Sequence, residues 1–224
     1  MINVLTANNV VPPVEGPVRS RTPEAGRETR ERVLQAAARL FSRRGYSGVS
    51  IADVALAAGV SKAGLLHHFA SKETLFLSVA ERFSLRSWLP PQATEDSSFD
   101  LWDYLDAWCR SLVEDRTQPD LVALSVSTMV GALDDEHPAR EVVRESTSET
   151  QRRLVEAVEV GKRLGQVAPE APSEEIARGL VAISSGGQAQ WLVGASLGLP
   201  AGPAGGELAA LFVALARARW GQEA

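Results

Sequence analysis

Residues 50–72 read Ser-Ile-Ala-Asp-Val-Ala-Leu-Ala-Ala-Gly-Val-Ser-Lys-Ala-Gly-Leu-Leu-His-His-Phe-Ala-Ser-Lys, the pattern of two short helices joined by a tight turn. Ser50 is placed to cap the first helix, its hydroxyl accepting a hydrogen bond from an orphan backbone N–H of the first turn. Ile51, Val54, Ala55 and Ala58 recur at three- and four-residue steps and give that helix one apolar face. Gly59 supplies a left-handed stop, Val60 fills the angle between the helices, and Ser61 caps the second. That second helix, Lys62–Phe69, is then the element that a helix-turn-helix protein lays in the major groove of DNA.

The flanking sequence extends the helical pattern in both directions. Upstream, a helix fits from about Arg27 to Arg44, with Val33, Leu34, Ala37, Leu40 and Phe41 as its apolar stripe and Gly45 at its end. Residues 1–26 hold Pro12, Pro13, Pro17 and Pro23 and few large apolar side chains, so they are expected to form a disordered arm. Downstream, Ser71 caps a fourth helix with Leu75, Phe76, Val79 and Phe83 inward, which runs out before Pro90-Pro91. A polar linker, 92–98, follows. Helices are then expected over 99–115, with Leu101, Leu105, Trp108 and Leu112 on one face, and over 119–133. A long helix is expected from Pro138, as a first-turn residue, to about Arg163. Two more are expected over 173–193 and, beyond the Gly/Pro-rich stretch Gly198 to Gly206, over 207–220. No segment alternates as a strand. The fold class is therefore all-α, with about nine helices: an N-terminal three-helix helix-turn-helix unit and a larger C-terminal helical body.

Charge is divided along the chain in a way the net value of −5 conceals. Residues 19–72 carry ten Lys/Arg against four Asp/Glu, a net of +6, whereas residues 73–224 carry 13 against 23, a net of −10. A basic segment on an acidic body suggests a nucleic-acid module. The 224 residues suffice to bury a core without disulfides or metal. The lone cysteine, Cys109, excludes an internal disulfide and fits a reducing cytoplasm. The stretch Met1 to Pro17 lacks the basic and apolar regions of a signal peptide, and no run approaches the ~18–20 apolar residues of a membrane span. There is no Gly-rich phosphate loop, no metal-ligand spacing and no nucleophile with an evident base, so neither an enzyme nor a cofactor or metal is expected.

The segment from Thr29 to Leu75 resembles the TetR family of one-component transcriptional regulators. The resemblance is carried by Thr29-Arg30-Glu31-Arg32-Val33-Leu34, Ala36-Ala37, Leu40-Phe41, Gly45-Tyr46, Ser50, Ile51-Ala52, Ala55, Ala58-Gly59-Val60-Ser61-Lys62, Leu65, His68-Phe69, Ser71-Lys72 and Leu75. Weaker echoes are Glu136-His137-Pro138 and Gly187-Gln188-Ala189-Gln190-Trp191-Leu192. The resemblance implies residues 1–26 as a disordered basic arm, 27–72 as the DNA-binding domain and 73–224 as a ligand-binding and dimerisation domain. It departs from the family at Ala63-Gly64-Leu65-Leu66, where Leu66 stands in place of a tyrosine that donates a hydrogen bond to phosphate.

On this reading the DNA-binding residues are Tyr46, Ser50, Ser61, Lys62, Ala63, Gly64, His67, His68 and Lys72. Lys62 is suited to guanine O6/N7 or phosphate and Ala63 to a thymine methyl. His67 lies one turn along on the same side, and His68 is assigned to phosphate. Lys72 combines its charge with the free N–H groups of a helix start. Tyr46 and Ser50 approach the backbone from the other side, and Arg19, Arg21 and Arg27 of the arm are suited to a minor groove. Arg43-Arg44 read as complements to the C-terminal end of their helix, and His67-His68 point too far apart to share a metal.

One such unit covers one half-site, so the chain is expected to act as a homodimer on palindromic double-stranded DNA. Helices 173–193 and 207–220 are the dimerisation candidates, the first for its small residues and the second for Leu208, Leu211, Phe212, Leu215 and Ala216. The other body helices are expected to enclose a small, mostly apolar effector against Trp88, Trp102, Trp108, Cys109, Ser125, Thr128, Met129 and Arg144. The function expected is a ligand-responsive regulator, a repressor released by that effector. Alternatives are a DNA organiser without ligand control and a helical carrier or enzyme without DNA function.

Overall fold

The computed structural model describes residues 23–85, 89–96, 98–114, 119–199 and 205–222. Trp88 and the arm arginines Arg19 and Arg21 lie outside the described residues. Among those described there are nine α-helices: α1 (Pro23–Arg44), α2 (Ile51–Ala57), α3 (Lys62–His68), α4 (Lys72–Ala80), α5 (Leu101–Glu114), α6 (Pro119–Gly131), α7 (Arg140–Arg163), α8 (Ser173–Ser196) and α9 (Gly205–Trp220). The described residues contain no strand; an isolated backbone bridge, Val167 to Gly221, ties the end of the chain to the turn after α7. No described helix is long and apolar enough to cross a membrane.

Three boundaries differ from the expected ones with a clear local cause, and the other helix ends fall within three residues of those expected. Helix α1 begins at Pro23 rather than near Arg27, because proline at the first helical position has the right φ and lacks only an N–H that would be orphaned anyway. Helix α4 stops at Ala80 and continues as a widened π-type turn, Glu81–Leu85. Pro138 stands two residues before α7 instead of inside it. The turn ahead of α7 is closed by His137 N–H donating to the Asp134 carbonyl and Arg140 N–H to the His137 carbonyl, at 3.1 and 3.0 Å.

Two large apolar clusters organise the molecule. The first joins Val33, Leu34, Ala37 and Phe41 of α1 to Val54, Leu65, Phe69, Leu75, Phe76 and Val79, and it also takes in Leu124 of α6 and Ala139. The N-terminal unit therefore shares its core with the body. The second cluster packs Leu101, Trp102, Leu105, Trp108, Cys109 and Leu112 of α5 against α7, α8 and α9. A small third one, Val122 with Trp191, lies between α6 and α8.

Helices α8 and α9 meet backbone to backbone. A Cβ on Gly187 would lie 2.5 Å from Gly205 Cα, and one on Gly205 would lie 2.0 Å from the Ser184 carbonyl oxygen. Only glycine permits that approach. The stripe expected on α9 is divided by this packing. Leu208 and Phe212 turn to α8, against Gly187 and Gly179, while Ala209, Val213 and Ala216 are buried. Leu211 and Leu215 point outward, 60% and 61% exposed.

Candidate nucleic-acid interface

Three serine caps hold the N-terminal unit together. Ser50 and Asp53 form a reciprocal capping box at the start of α2. The Ser50 hydroxyl accepts from Asp53 N–H at 3.1 Å, and the Asp53 carboxylate accepts from Ser50 N–H at 2.9 Å and from the Ser50 hydroxyl at 2.6 Å. Those hydrogen bonds hold the Asp53 carboxyl below its usual range. Ser50 is thus engaged within its own cap, its hydroxyl donating to Asp53, while the residue itself stays exposed. The Ser61 hydroxyl accepts from Gly64 N–H at 3.0 Å and that of Ser71 from Thr74 N–H at 3.0 Å. Between α2 and α3, Gly59 sits at φ +64°, the left-handed conformation that ends α2.

Helix α3 is a single-faced element. Leu65 is fully buried, while Lys62, Ala63, Leu66 and His67 are exposed and occupy one continuous arc opposite it. Gly64 lies at the edge of that arc, and a Cβ there would sit 3.1 Å from the Ser61 Oγ that caps the helix. His68, one helical turn from Leu65, is half-buried and its Nε2 is enclosed. Leu66, singled out in the sequence only as standing where the family has a tyrosine, is 38% exposed at the centre of the outward arc.

The turn after α1 presents Tyr46. Its ring packs at 5.0 Å from Phe76 and 5.6 Å from His137, and Lys72 Nζ sits 4.2 Å above its centre. Burial, with a smaller push from Glu73, raises the Tyr46 hydroxyl above its usual value, so it remains a proton donor. Lys72 is therefore positioned at the start of α4 by an aromatic platform. His137 comes from the turn between α6 and α7. Its ring lies 5.4 Å from Phe76, its Nδ1 accepts from Ala139 N–H at 3.3 Å, and burial lowers its basicity against a smaller opposing pull from Asp134. His137, Tyr46, Phe76 and Lys72 form one contact chain from the body to the N-terminal unit. The Glu136-His137-Pro138 motif was the sequence signal for it.

The residues expected to line an effector site are not gathered in one place. Trp102, Trp108 and Cys109 belong to the α5–α9 core, and burial pushes the Cys109 thiol up to about 12. Ser125 and Thr128 are buried on α6, which packs on α1 and α8 instead. Met129 turns outward, 36% exposed. Arg144 is a correction: it is an exposed residue of α7 whose guanidinium makes a two-pronged pair with Glu141 one turn away. A cation satisfied by a neighbour in solvent has no drive to enter an apolar cavity. On α8, Gln188 was missed. It is 3% exposed, and its Oε1, like Thr128 Oγ1 on α6, has no hydrogen-bond partner among the described residues.

Comparison with known proteins agrees with this architecture. Residues 33–79 match the family described as bacterial regulatory proteins, tetR family. The chain is 30% identical over 165 residues to the HTH-type transcriptional regulator CymR of Pseudomonas putida, covering 71% of this chain and 77% of that one. It is 39% identical over 61 residues to the HTH-type transcriptional regulator AcrR of Shigella flexneri, a match that spans only 28% of that regulator and 27% of this chain. Among solved structures, the SmeT–triclosan complex shares the fold with a TM-score of 0.72 at 20% identity, covering 88% of this chain and 93% of that one. These relatives are transcriptional regulators. An extended match to one of them, together with a capped helix-turn-helix seated on an all-helical body, makes this chain a member of the tetR family.

Proposed function

We propose that the chain is a ligand-responsive transcriptional regulator, acting as a repressor that binds a palindromic operator as a homodimer. The observation that carries this reading is the outward arc of α3, flanked by Lys72, on a basic unit whose core is continuous with the body. Residues 27–72 form the reading unit, and residues 73–224 form the part that dimerises and takes the effector. Lys62 and His67 supply hydrogen bonds to the groove, and Ala63 and Gly64 permit close approach. Ser61 and Lys72 serve the phosphates, with Tyr46 beside them and Arg27 and the arm arginines Arg19 and Arg21 reaching from the N-terminal side.

Dimerisation through α8 and α9 is supported by what those helices leave uncovered. Leu211 and Leu215 on α9, and Val193 on α8 with Leu197 just past its end, are each spaced by four residues and are more than half exposed. Ala182 and Gly186 on α8 are also exposed. Two copies meeting there form a four-helix interface, the arrangement that hides such a surface.

The effector seat lies by the α6–α8 contact. Burying a polar atom without a partner costs about 1–3 kcal/mol, and Thr128 and Gln188 each hold one. A small, mostly apolar molecule with one hydroxyl or N–H group satisfies the Gln188 carbonyl there. Its arrival moves α6 against α1 and shifts the α6–α7 turn, and His137 passes that movement to Tyr46, Phe76 and the start of α4. By linkage, the effector must weaken DNA binding by the same factor that DNA weakens effector binding. The test is a panel of neutral lipophilic alcohols and phenols, each measured for its effect on melting temperature and on the affinity for the regulator's own upstream DNA. Compounds that raise the first are expected to lower the second. Binding of DNA that no stabilising compound alters overturns ligand control and leaves a DNA organiser.

A further inference from the structure

The exposed arc of α3 is poor in hydrogen-bonding groups. Of its four residues, Lys62, Ala63, Leu66 and His67, two have purely hydrocarbon side chains, and the adjoining Gly64 has none. Leu66 is not core: Leu65 and Phe69 fill the inner face of this helix, fully or almost fully buried, while Leu66 is 38% exposed. The exposed part of Leu66 gains free energy when something apolar covers it. The positive charge around it specifies what that is. Lys62 stands in the same arc, Lys72 opens the next helix four residues after α3 ends and is held over the Tyr46 ring, and the segment 19–72 is net +6, so the unit complements a polyanion.

In the major groove of DNA only one base presents a hydrocarbon group, the C5-methyl of thymine. Resting on the DNA-binding reading above, we propose that this chain reads its operator mainly through thymine methyl groups, with Leu66 and Ala63 as the specificity-determining contacts and with few direct hydrogen bonds to bases. Lys62 and His67 frame the apolar pair and set its register. Leu66 and Ala63 lie three residues apart on one side of the helix, so they touch methyls on neighbouring base steps. Discrimination then rests on shape and burial. A cytosine at those steps presents no methyl group and faces Leu66 with an amino group that the side chain cannot satisfy.

Uracil isolates the methyl group, because it keeps every hydrogen-bonding position of thymine. The full-length protein is used to enrich duplexes from a randomised pool, and the winning site is resynthesised with deoxyuridine replacing each thymine in turn. Each contacted methyl buries about one methylene equivalent, so its removal is expected to weaken binding about fourfold. The Leu66→Ala variant, altered at an exposed position and so expected to fold normally, should bind the thymine site more weakly and be indifferent to uracil at one defined step. Ala63→Gly should lose the uracil effect at a neighbouring step. Tight binding with no uracil effect at any position overturns this inference alone, as does a Leu66→Ala protein with the parent's uracil sensitivity throughout. Enrichment of no duplex overturns the DNA-binding reading itself, and this inference with it.

Discussion

Gly187→Ala is a change of one methyl group that the α8–α9 contact does not accommodate. The new Cβ would lie 2.5 Å from Gly205 Cα, 2.9 Å from Gly205 N and 3.1 Å from a Leu208 methyl. Carbon atoms in good contact are about 3.5–4.0 Å apart, so the start of α9 has to retreat by about 1 Å. The obstacle is backbone, which no rotamer change relieves. Overpacking of this kind costs about 1–3 kcal/mol, occasionally more. Alanine's better helix propensity returns about 1 kcal/mol, leaving a net loss of about 1 kcal/mol at the middle of that range. For a chain of this size that lowers Tm by about 2–4 °C. Gly26→Ala is the internal control: it adds the same methyl to α1 with nothing within 4 Å, and it should stabilise by about 0.5–1 kcal/mol. The assay is thermal unfolding of both variants and the parent at one fixed protein concentration, since the proposed dimerisation would make Tm concentration-dependent. A Gly187→Ala protein that melts at or above the parent's temperature refutes the close crossing of α8 and α9.

Lys62→Ala is expected to relax sequence preference while Lys72→Ala weakens all DNA about equally and reduces the salt slope by about one; measuring both on specific and random duplexes at several salt concentrations checks this, and identical behaviour contradicts the division of roles. Glu149 is held down to about 2 by hydrogen bonds from Arg152 and then Arg153. Its folded value lies below its ordinary 4.5, so its stabilising contribution is complete above that value and is lost as pH falls from there towards 2. Urea unfolding of Glu149→Gln across that window should show a shallower acid dependence than the parent, and an unchanged dependence contradicts the pairing. Cys109 is fully buried with its thiol raised to about 12, so at pH 8 a thiol reagent should label it only after urea unfolds the chain; rapid labelling of the native protein places it outside the core.

What was legible in the sequence was what is decided locally. The capping serines Ser50, Ser61 and Ser71 and the stop at Gly59 act within one turn of themselves, and the helix-turn-helix followed from them. The inward sets of α1 and α4 followed from periodicity. Features decided by a distant partner were harder to read. Proline-rich composition hid Pro23 as a helix start. The outward direction of Leu211 and Leu215 depends on the Gly187–Gly205 crossing, which no window of α9 contains. Arg144 looked available as a polar group until Glu141, one turn away, was seen to hold it. Leu66 read as a missing hydrogen bond because periodicity separates it from Leu65 only by the 100° between adjacent helical residues. His137 belongs to a turn whose importance lies entirely in the residues it meets, Tyr46 and Phe76.

The most direct test of the account is a footprint of the protein on the DNA flanking its own coding sequence at ~50 mM salt, repeated at higher salt. A helix-turn-helix dimer predicts one two-fold-symmetric protected segment with half-sites a whole number of helical turns apart, and protection that fades steeply as salt rises. Absence of protection from any segment at low salt, or protection that ignores both symmetry and salt, contradicts it.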